Sequence, residues 1–319
     1  MKPVRIAVIG GGHMGALHAA KVAALRDAGA AVTLVGVADV DLERARLVAS
    51  RSGSRAAADG LDLFGEADAA IVAVPTVKHF EVVKAALEAG LDVLVEKPIA
   101  ATLGEGEELL GLSRSRDRVL RVGHLEWFNA AMRAIRGKIQ TPRFVEAHRM
   151  GPFSERASDM DVVRDLMIHD LEILQQVLGE EPDRIEAIGI PVVTDKVDIA
   201  NARIGFPCGC VANLTVSRVS GTPMRKLRFF QRNGYFSVDL LAQSGVIFRR
   251  RASGEGQAPQ LEMEKLEIDP EDALLTQLRA FVEAVRTRRG PPVSGGEALA
   301  ALRTALRVVE AIPPLDELL

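Results

Sequence analysis

The chain has 319 residues, of which 48% are hydrophobic, and its formal net charge is -3 at pH 7. This is about twice the length of a typical domain of ~150 residues, so two domains are expected. The mixed and nearly balanced charge gives no electrostatic footprint for nucleic acid or for an anionic membrane.

The cysteine content and the first residues predict a cytoplasmic protein. Cys208 and Cys210 are two positions apart, which predicts that both lie on one face of a strand. They form neither a zinc-binding spacing nor a disulfide framework, and no other metal-ligand cluster is visible, so a reducing compartment and no metal are expected. Residues 1–9 have a strand pattern, with no signal-peptide or membrane-spanning pattern.

The first part of the chain alternates short apolar strands with longer helical segments. The predicted strands cover 4–9, 32–38, 69–74, 91–95 and 119–122, and the predicted helices cover 13–28, 42–50, 79–89 and 103–112. Aliphatic runs that alternate with helices are typical of a parallel sheet with right-handed βαβ crossovers. This indicates an α/β domain with a doubly wound parallel sheet over residues 1–123.

The pattern changes after residue 123. Helices are predicted over 129–138, 162–178, 274–288 and 297–311, and strands over 144–150, 184–193, 198–206, 210–217, 226–231, 235–240 and 246–249. Residues 252–259 are predicted to form a hairpin tip or loop. Strands without intervening helices indicate an open, mostly antiparallel sheet covered by helices on one face. The second domain, of α+β type, is therefore expected over residues 124–319.

A glycine motif links the first predicted strand to the first predicted helix. Gly10, Gly12 and Gly15 fit G-x-G-x-x-G in the context that dinucleotide sites require. Gly10 permits a tight turn, Gly12 lets the backbone approach a pyrophosphate, and Gly15 allows close helix packing. The N–H groups at the helix start, at His13 and Met14, would hold the phosphates. The alternative is a glycine-rich turn that binds no ligand.

Asp39 ends the second predicted strand, where an acidic residue is expected about 20 positions after the motif. Its carboxylate would accept hydrogen bonds from the ribose hydroxyls and repel a 2′-phosphate, which favours NAD over NADP. Arg44, one turn into the next helix, would instead suit a 2′-phosphate. This residue keeps open an NADPH-linked reductase of a small carbonyl or imine.

Glu96-Lys97-Pro98 follows the fourth predicted strand. A lysine at the carboxyl end of a parallel strand projects toward the crevice where such sheets bind ligands. A cation there can hold a substrate hydroxyl and lower the pKa of that hydroxyl. The alternative is an ordinary surface lysine.

Asp165 and His169 lie four positions apart in a predicted helix, so their side chains share one face. A nearby carboxylate raises the imidazole's affinity for protons and orients the ring, which suits a general base for an alcohol. Asp170, about 100° away around the helix, is expected to cap the helix or face solvent. The alternative for Asp165 and His169 is a surface ion pair.

These motifs, in this order, resemble the Gfo/Idh/MocA family of nicotinamide-dependent sugar and polyol oxidoreductases. The resemblance rests on the glycine motif, on Ala73-Val74-Pro75-Thr76 followed by His79, on Glu96-Lys97-Pro98, and on Asp165 with His169. It implies a Rossmann domain that binds NAD, then an α/β domain whose open sheet builds homodimers or homotetramers. It also implies that Lys97 and His169 are the catalytic pair, with Asp165 nearby. The intact set argues against a non-catalytic nicotinamide-sensing protein.

The resemblance assigns binding residues as well. The nicotinamide side would be lined by Val74, Pro75, Thr76, His79 and Glu96. Residues 123–129 resemble a segment that reaches the substrate crevice, which implies substrate contacts for Glu126, Trp127 and Asn129, besides Lys97, Asp165 and His169. Many relatives have an arginine, an aromatic residue, Asn and Pro here. This chain has Trp127-Phe128-Asn129-Ala130, so the contact made by that arginine is in doubt.

Residues 149–153, 217–218 and 224–230 resemble the branch of the family that oxidises nucleotide-linked amino sugars, notably UDP-N-acetylglucosamine at C3. A diphosphate needs cations, which Arg149, Arg218 and Arg225 would supply. A uracil needs a flat apolar surface, which Trp127 or Phe153 would supply. The sequence leaves open the exact sugar and carbon, the physiological direction and the oligomer size.

Overall fold

The computed structural model describes residues 2–154, 160–232, 234–251, 260–288 and 295–314, so the predicted loop 252–259 lies outside the described residues. The chain divides into two compact units. One comprises Met1–Leu125 and Asp272–Leu299, and the other comprises Glu126–Glu271 and Ala300–Leu319. Each unit contains one β-sheet.

The sheet of the first unit has six strands in the order β3-β2-β1-β4-β5-β6, and all its strand pairs are parallel. The strands are β1 (Val4–Ile9), β2 (Val32–Ala38), β3 (Arg55–Ala57), β4 (Ala69–Val72), β5 (Asp92–Val95) and β6 (Leu120–Val122). The helices are α1 (His13–Asp27), α2 (Leu42–Ser52), α3 (Leu61–Phe64), α4 (His79–Glu88) and α5 (Leu103–Ser115). This strand order is that of a Rossmann fold, which confirms the predicted class.

The strands at the centre of this sheet are buried on both faces. All four residues of β4 and all four of β5 are buried. Helices cover both sides of a doubly wound sheet, so such strands read as continuous aliphatic runs. The edge strand β3 was not predicted, because its three residues are too few to show a period.

Helix α8 (Ala273–Thr287) belongs to the first unit. Its buried residues Leu278, Phe281 and Val282 share a hydrophobic cluster with Ile6 and Val8 of β1. From sequence this helix is predicted within the second domain, and the structure differs on this point. An amphipathic pattern reveals an apolar face but does not say which sheet that face covers.

The sheet of the second unit has eight strands in the order β14-β13-β12-β11-β7-β10-β9-β8. The strands are β7 (Phe144–Met150), β8 (Arg184–Ile190), β9 (Ile199–Gly205), β10 (Val211–Ser217), β11 (Met224–Gln231), β12 (Gly234–Asp239), β13 (Ser244–Arg251) and β14 (Gln260–Lys265). Only β7 and β10 pair in parallel, which confirms a mostly antiparallel sheet. Strand β14 was not predicted, because all its residues are exposed and show no alternation.

The two faces of this sheet differ. One face is buried, with residues such as Ala147, Leu214 and Phe229 fully or almost fully enclosed. The opposite face carries a half-buried row of aromatic rings across four strands, formed by Phe144, Phe230, Tyr235 and Phe248. The other α-helices among the described residues are α6 (Ala130–Arg136), α7 (Ile168–Leu178) and α9 (Gly295–Glu310).

The two cysteines do not share a strand face, contrary to the prediction. Cys208 is exposed in the turn between β9 and β10, Cys210 is buried, and both are free. Gly209 between them has φ 80°, which turns the chain and breaks the alternation that the prediction assumed. Within the described residues, no helix is long and apolar enough to cross a membrane, and no group of three His, Cys, Asp or Glu side chains is arranged to hold a metal ion.

Candidate active site

The glycine loop of the first unit has the shape that the motif requires. Gly10 has φ 101°, and a Cβ at this position would lie 2.4 Å from the Ala73 carbonyl oxygen. A Cβ on Gly15 would lie 1.8 Å from the Gly10 oxygen, so neither glycine tolerates a side chain. A Cβ on Gly12 would meet no atom within 4 Å. The loop is therefore tightly packed beneath and leaves space above Gly12.

Helix α1 begins directly after this space. No side chain caps its first turn, since the preceding residue is Gly12. The N–H groups of the first turn, at His13 and Met14, are therefore suited to bind an anion, and the helix dipole favours negative charge there. This arrangement fits the pyrophosphate of a dinucleotide.

Asp39 lies beside the same loop. Its Oδ2 accepts the Gly11 N–H at 2.7 Å, and its Oδ1 accepts the Asp41 N–H at 2.9 Å. Arg44 is held nearby, with Nε 3.7 Å from Asp39 Oδ2 and Nη2 3.2 Å from Asp41 Oδ2. Two carboxylates thus surround the one arginine expected to suit a 2′-phosphate, which supports NAD over NADP.

His18, which belongs to none of the sequence motifs, contacts the Glu96-Lys97-Pro98 segment. His18 Nε2 lies 2.7 Å from Glu96 Oε1, and the His18 side chain is only 1% exposed. A Cβ on Gly123 would lie 2.9 Å from Glu96 Oε2, so only glycine leaves room for this carboxylate. The available signal was a histidine among the buried residues of α1, such as Ala19 and Val22.

His79 is buried and ties together the ends of β4 and β5. Its Nδ1 lies 2.7 Å from the Pro98 carbonyl oxygen, and its Nε2 lies 3.0 Å from that of Val74. Burial lowers the pKa of His79, although the two carbonyl bonds act to raise it. Pro75 is exposed, and Thr76 is half-buried at the start of a 3₁₀ turn. His79 was predicted to line the nicotinamide side. Its contacts are instead those of a buried residue that holds the segments after β4 and β5 in place.

Lys97 is half-buried two residues after β5. His124, which follows β6, is fully buried, and burial with a smaller contribution from the charge of Lys97 lowers the pKa of His124 to about 3. His124 is therefore neutral near neutral pH.

In the second unit, Asp165 and His169 lie at the start of α7. Val163–Met167, which contains Asp165, forms a π-helical turn, and His169 is the second residue of the α-helix that follows. Both side chains belong to half-buried residues. The structure thus replaces the predicted regular helix by a π turn, a rare feature that is frequent at functional sites.

Asp170 neither caps the helix nor faces solvent, contrary to the prediction. It is 2% exposed, and its carboxylate accepts two hydrogen bonds from Arg149, at 2.7 and 3.1 Å. Arg149 also donates to Glu126 Oε1 at 2.6 Å. Burial alone would lower the pKa of Arg149, but the charges of Asp170 and Glu126 outweigh it and hold that pKa above its ordinary value. We call Glu126, Arg149 and Asp170 the buried charge cluster.

This pairing changes the account of the three arginines predicted to bind a diphosphate. Arg149 is 3% exposed, and Arg218 is 5% exposed with its Nε 2.6 Å from Asp198 Oδ1. Both are enclosed by protein, so the expectation that they contact a diphosphate is not supported. Arg225 differs, because its side chain is 47% exposed and its Nη1 lies 3.4 Å from Glu126 Oε1.

The predicted aromatic and amide contacts also separate. Trp127 is 7% exposed, with the guanidinium of Arg136 5.0 Å from its ring centroid. Asn129 is 5% exposed, caps α6 through the Ala131 N–H at 3.0 Å, and donates to the Leu240 carbonyl oxygen at 2.9 Å. Both have structural contacts in this unit. An exposed aromatic side chain is supplied instead by Phe153, at 38%.

Comparison with known proteins identifies the family. Residues 4–124 match the model of an oxidoreductase family with an NAD-binding Rossmann fold, and residues 128–237 match the Gfo/Idh/MocA C-terminal domain. UDP-N-acetylglucosamine 3-dehydrogenase of Acidithiobacillus ferrooxidans is 36% identical over 97% of both chains. The chain belongs to the Gfo/Idh/MocA oxidoreductase family.

Other members and solved structures agree with this assignment. Myo-inositol 2-dehydrogenase of Thermotoga maritima is 25% identical, over 94% of this chain and 93% of its own. A solved structure of the A. ferrooxidans UDP-N-acetylglucosamine 3-dehydrogenase superposes with a TM-score of 0.91 over 98% of both chains. Levoglucosan dehydrogenase, solved with NADH and levoglucosan, is 17% identical with a TM-score of 0.85, which shows a shared fold. This Gfo/Idh/MocA protein is thus an NAD-dependent oxidoreductase, and its glycine loop, α1 and Asp39 fit that cofactor.

Proposed function

We propose that this Gfo/Idh/MocA protein oxidises UDP-N-acetylglucosamine at C3. The observation that carries the proposal is the 36% identity to a UDP-N-acetylglucosamine 3-dehydrogenase across 97% of both chains. The inositol dehydrogenases among the relatives support the wider class, a secondary alcohol on a sugar-like ring.

Lys97, His169 and Asp165 are the proposed catalytic residues. His169 accepts the proton of the C3 hydroxyl, Lys97 stabilises the negative charge that develops on its oxygen, and Asp165 orients His169. A bound NAD would supply the hydride acceptor for C3, and the products would be a 3-keto sugar, NADH and a proton. Groups that act on such a proton transfer typically contribute about 10²- to 10⁴-fold each.

The cofactor is proposed to lie along the residues that the family pattern assigns. The glycine loop and α1 hold the pyrophosphate, and the Asp39 carboxylate accepts hydrogen bonds from the ribose hydroxyls. The nicotinamide side comprises Val74, Pro75, Thr76 and Glu96.

Arg225 is the proposed contact for the substrate diphosphate. Arg149 and Arg218 are neutralised and buried, whereas Arg225 is half exposed and has one carboxylate neighbour. Phe153 is the proposed surface for the uracil, because Trp127 is enclosed.

The test is the formation of NADH from NAD, followed by near-ultraviolet absorbance. UDP-N-acetylglucosamine, free N-acetylglucosamine, glucose and myo-inositol are compared, with hydroxylamine present to trap the keto product. We expect turnover of the UDP-sugar well above that of each free sugar. Efficient oxidation of myo-inositol without a response to the UDP-sugar would reject the proposal, and a parallel assay with NADP tests the cofactor.

A homodimer or homotetramer in the cytoplasm is also proposed. The half-buried aromatic row on the second sheet offers an apolar surface that a second copy of the chain would bury. Two free cysteines suit a reducing compartment. Light scattering of the purified protein measures the mass, and a monomer at micromolar concentration would contradict the oligomer.

A further inference from the structure

His18 connects the cofactor-binding helix to the segment that carries Lys97. Helix α1 begins at His13, so His18 lies in its second turn and on its buried face. Its Nε2 meets Glu96 Oε1 at 2.7 Å, where the two side chains are 1% and 12% exposed. A hydrogen bond in so enclosed a place is strong, because solvent does not compete for either partner.

The surroundings indicate which form of the imidazole is present. A carboxylate oxygen accepts, so Nε2 of His18 must carry the proton of this bond. His18 Nδ1 is buried and has no hydrogen-bond partner among the described residues. An unpartnered N–H would cost more than an unpartnered lone pair, which favours Nε2 over Nδ1 as the protonated nitrogen.

Besides this bond, two further contacts restrain Glu96. Its N–H donates to the Val72 carbonyl oxygen at 2.9 Å, and its carboxylate lies against Gly123. Lys97 is the next residue. Without the His18 bond, the Glu96 carboxylate would be free to move, and the adjacent Lys97 would be held less firmly in place.

We infer that His18 is a positioning residue: its imidazole donates to Glu96 through Nε2 and so fixes Glu96 and Lys97 relative to the helix whose N-terminus binds the cofactor. The inference deepens the proposed function and rests on it for the kinetic test given below, whereas the NMR test needs no substrate. It explains why a buried histidine occupies α1 at this point. It assigns no contact between His18 and substrate or cofactor.

Substitutions that differ in reach test the inference. The amide nitrogen of Gln lies about as far from Cα as Nε2 of His, whereas that of Asn corresponds to Nδ1. We expect His18→Gln to retain kcat within about threefold, and His18→Asn and His18→Leu to lower kcat by roughly 10- to 100-fold, as misplacements of about 1 Å do. KM for NAD should change less than kcat in His18→Asn and His18→Leu, because the glycine loop that holds the pyrophosphate is untouched.

A second step separates positioning from general stability. In a Glu96→Gln background, His18→Leu should lower kcat by much less than in the wild type, because residues that act as one unit are not additive. Thermal unfolding of each variant reports any loss of stability. Equal kcat for the Gln and Asn variants, or additive losses in the double variant, would overturn the inference.

The inference and the proposed function fail in different ways. If UDP-N-acetylglucosamine is not oxidised, the kinetics use whichever alcohol the substrate comparison reveals. A readout without substrate is nitrogen NMR of ¹⁵N-histidine-labelled protein, with His18 assigned by substitution. A ring protonated on Nε2, with signals that shift in Glu96→Gln, supports the inference, and a ring that carries its proton only on Nδ1 contradicts it.

Discussion

The glycine loop of the first unit and the buried charge cluster of the second unit bind charge in opposite ways. In the loop, there is space beside Gly12, and no side chain caps the first turn of α1, so the N–H groups of that turn are suited to an external anion. In the cluster, Arg149 meets two carboxylates from distant segments, and its charge is satisfied inside the protein. An arginine in a sequence therefore indicates an anion site only if the carboxylates of the same chain leave its guanidinium exposed.

The largest effect is expected at the two proposed catalytic residues, one in each unit. Lys97→Met and His169→Ala should each lower kcat by about 10²- to 10⁴-fold, because each removes a group that acts on the proton transfer. NADH binding, measured by fluorescence, should persist in both variants and serves as the control. Near-wild-type turnover in either variant would remove that residue from the catalytic set.

Breaking the buried charge cluster should cost stability. Arg149→Met leaves two buried carboxylates without their cation, which should lower the free energy of unfolding by about 3–5 kcal/mol. Arg228→Met is the matched control, because Arg228 is 47% exposed and pairs with Glu146 at 3.2 Å. Loss of such an exposed pair costs about 0–1 kcal/mol. Urea unfolding measures both, and equal small losses would contradict the assigned role of Arg149.

Arg225→Met tests the one exposed arginine of the three. Loss of a charge-assisted contact should raise KM for UDP-N-acetylglucosamine by roughly 10- to 100-fold with little change in kcat. Arg228 again provides the control, since both arginines lie on β11, both are 47% exposed, and their odd spacing places them on opposite faces. A similar KM in both variants would exclude Arg225 as the diphosphate contact.

Asp39→Ala tests the cofactor reading of the loop. Removal of the carboxylate eliminates its hydrogen bonds with the ribose of NAD and also its repulsion of the 2′-phosphate of NADP. The ratio of kcat/KM for NAD to that for NADP should therefore fall by about tenfold or more. A wild-type enzyme that already prefers NADP would show that this interpretation of Asp39 is wrong.

The smallest effect concerns His124 and the pH dependence of stability. With a pKa of about 3 in the folded state, His124 stays neutral there, whereas it takes up a proton below about pH 6.5 when unfolded. Its contribution is thus full above that pH and is lost as the pH falls, by about 1 kcal/mol between pH 6 and pH 5. Urea unfolding at pH 6 and pH 5 gives the free energy of unfolding at each pH. Its decrease between the two should be smaller in His124→Leu than in the wild type, and an equal decrease would contradict this assignment.

Most of the architecture was predictable because its signals are local. Continuous aliphatic runs such as β4 arise where a parallel strand is buried on both faces, and the strands of the second sheet showed their alternation in the same way. Among the strands, the exceptions were the three residues of β3 and the fully exposed β14, which carry no such signal. The four-residue helix α3 was also not predicted, because it is too short to show a period. The glycine loop and Glu96-Lys97-Pro98 could also be identified from the sequence, because the residues of each motif are close together in the chain.

What only the tertiary structure decided are the pairings between distant residues. His18 and Glu96 are 78 positions apart, and Arg149 and Asp170 are 21 apart on a strand and a helix. The sheet that α8 covers and the π turn at Asp165 also emerge only when elements pack. A charged or polar side chain has the same appearance in a sequence whether water or a buried partner satisfies it. Its partner, and therefore its role, is fixed by burial, because a charge removed from water must find an opposite charge nearby.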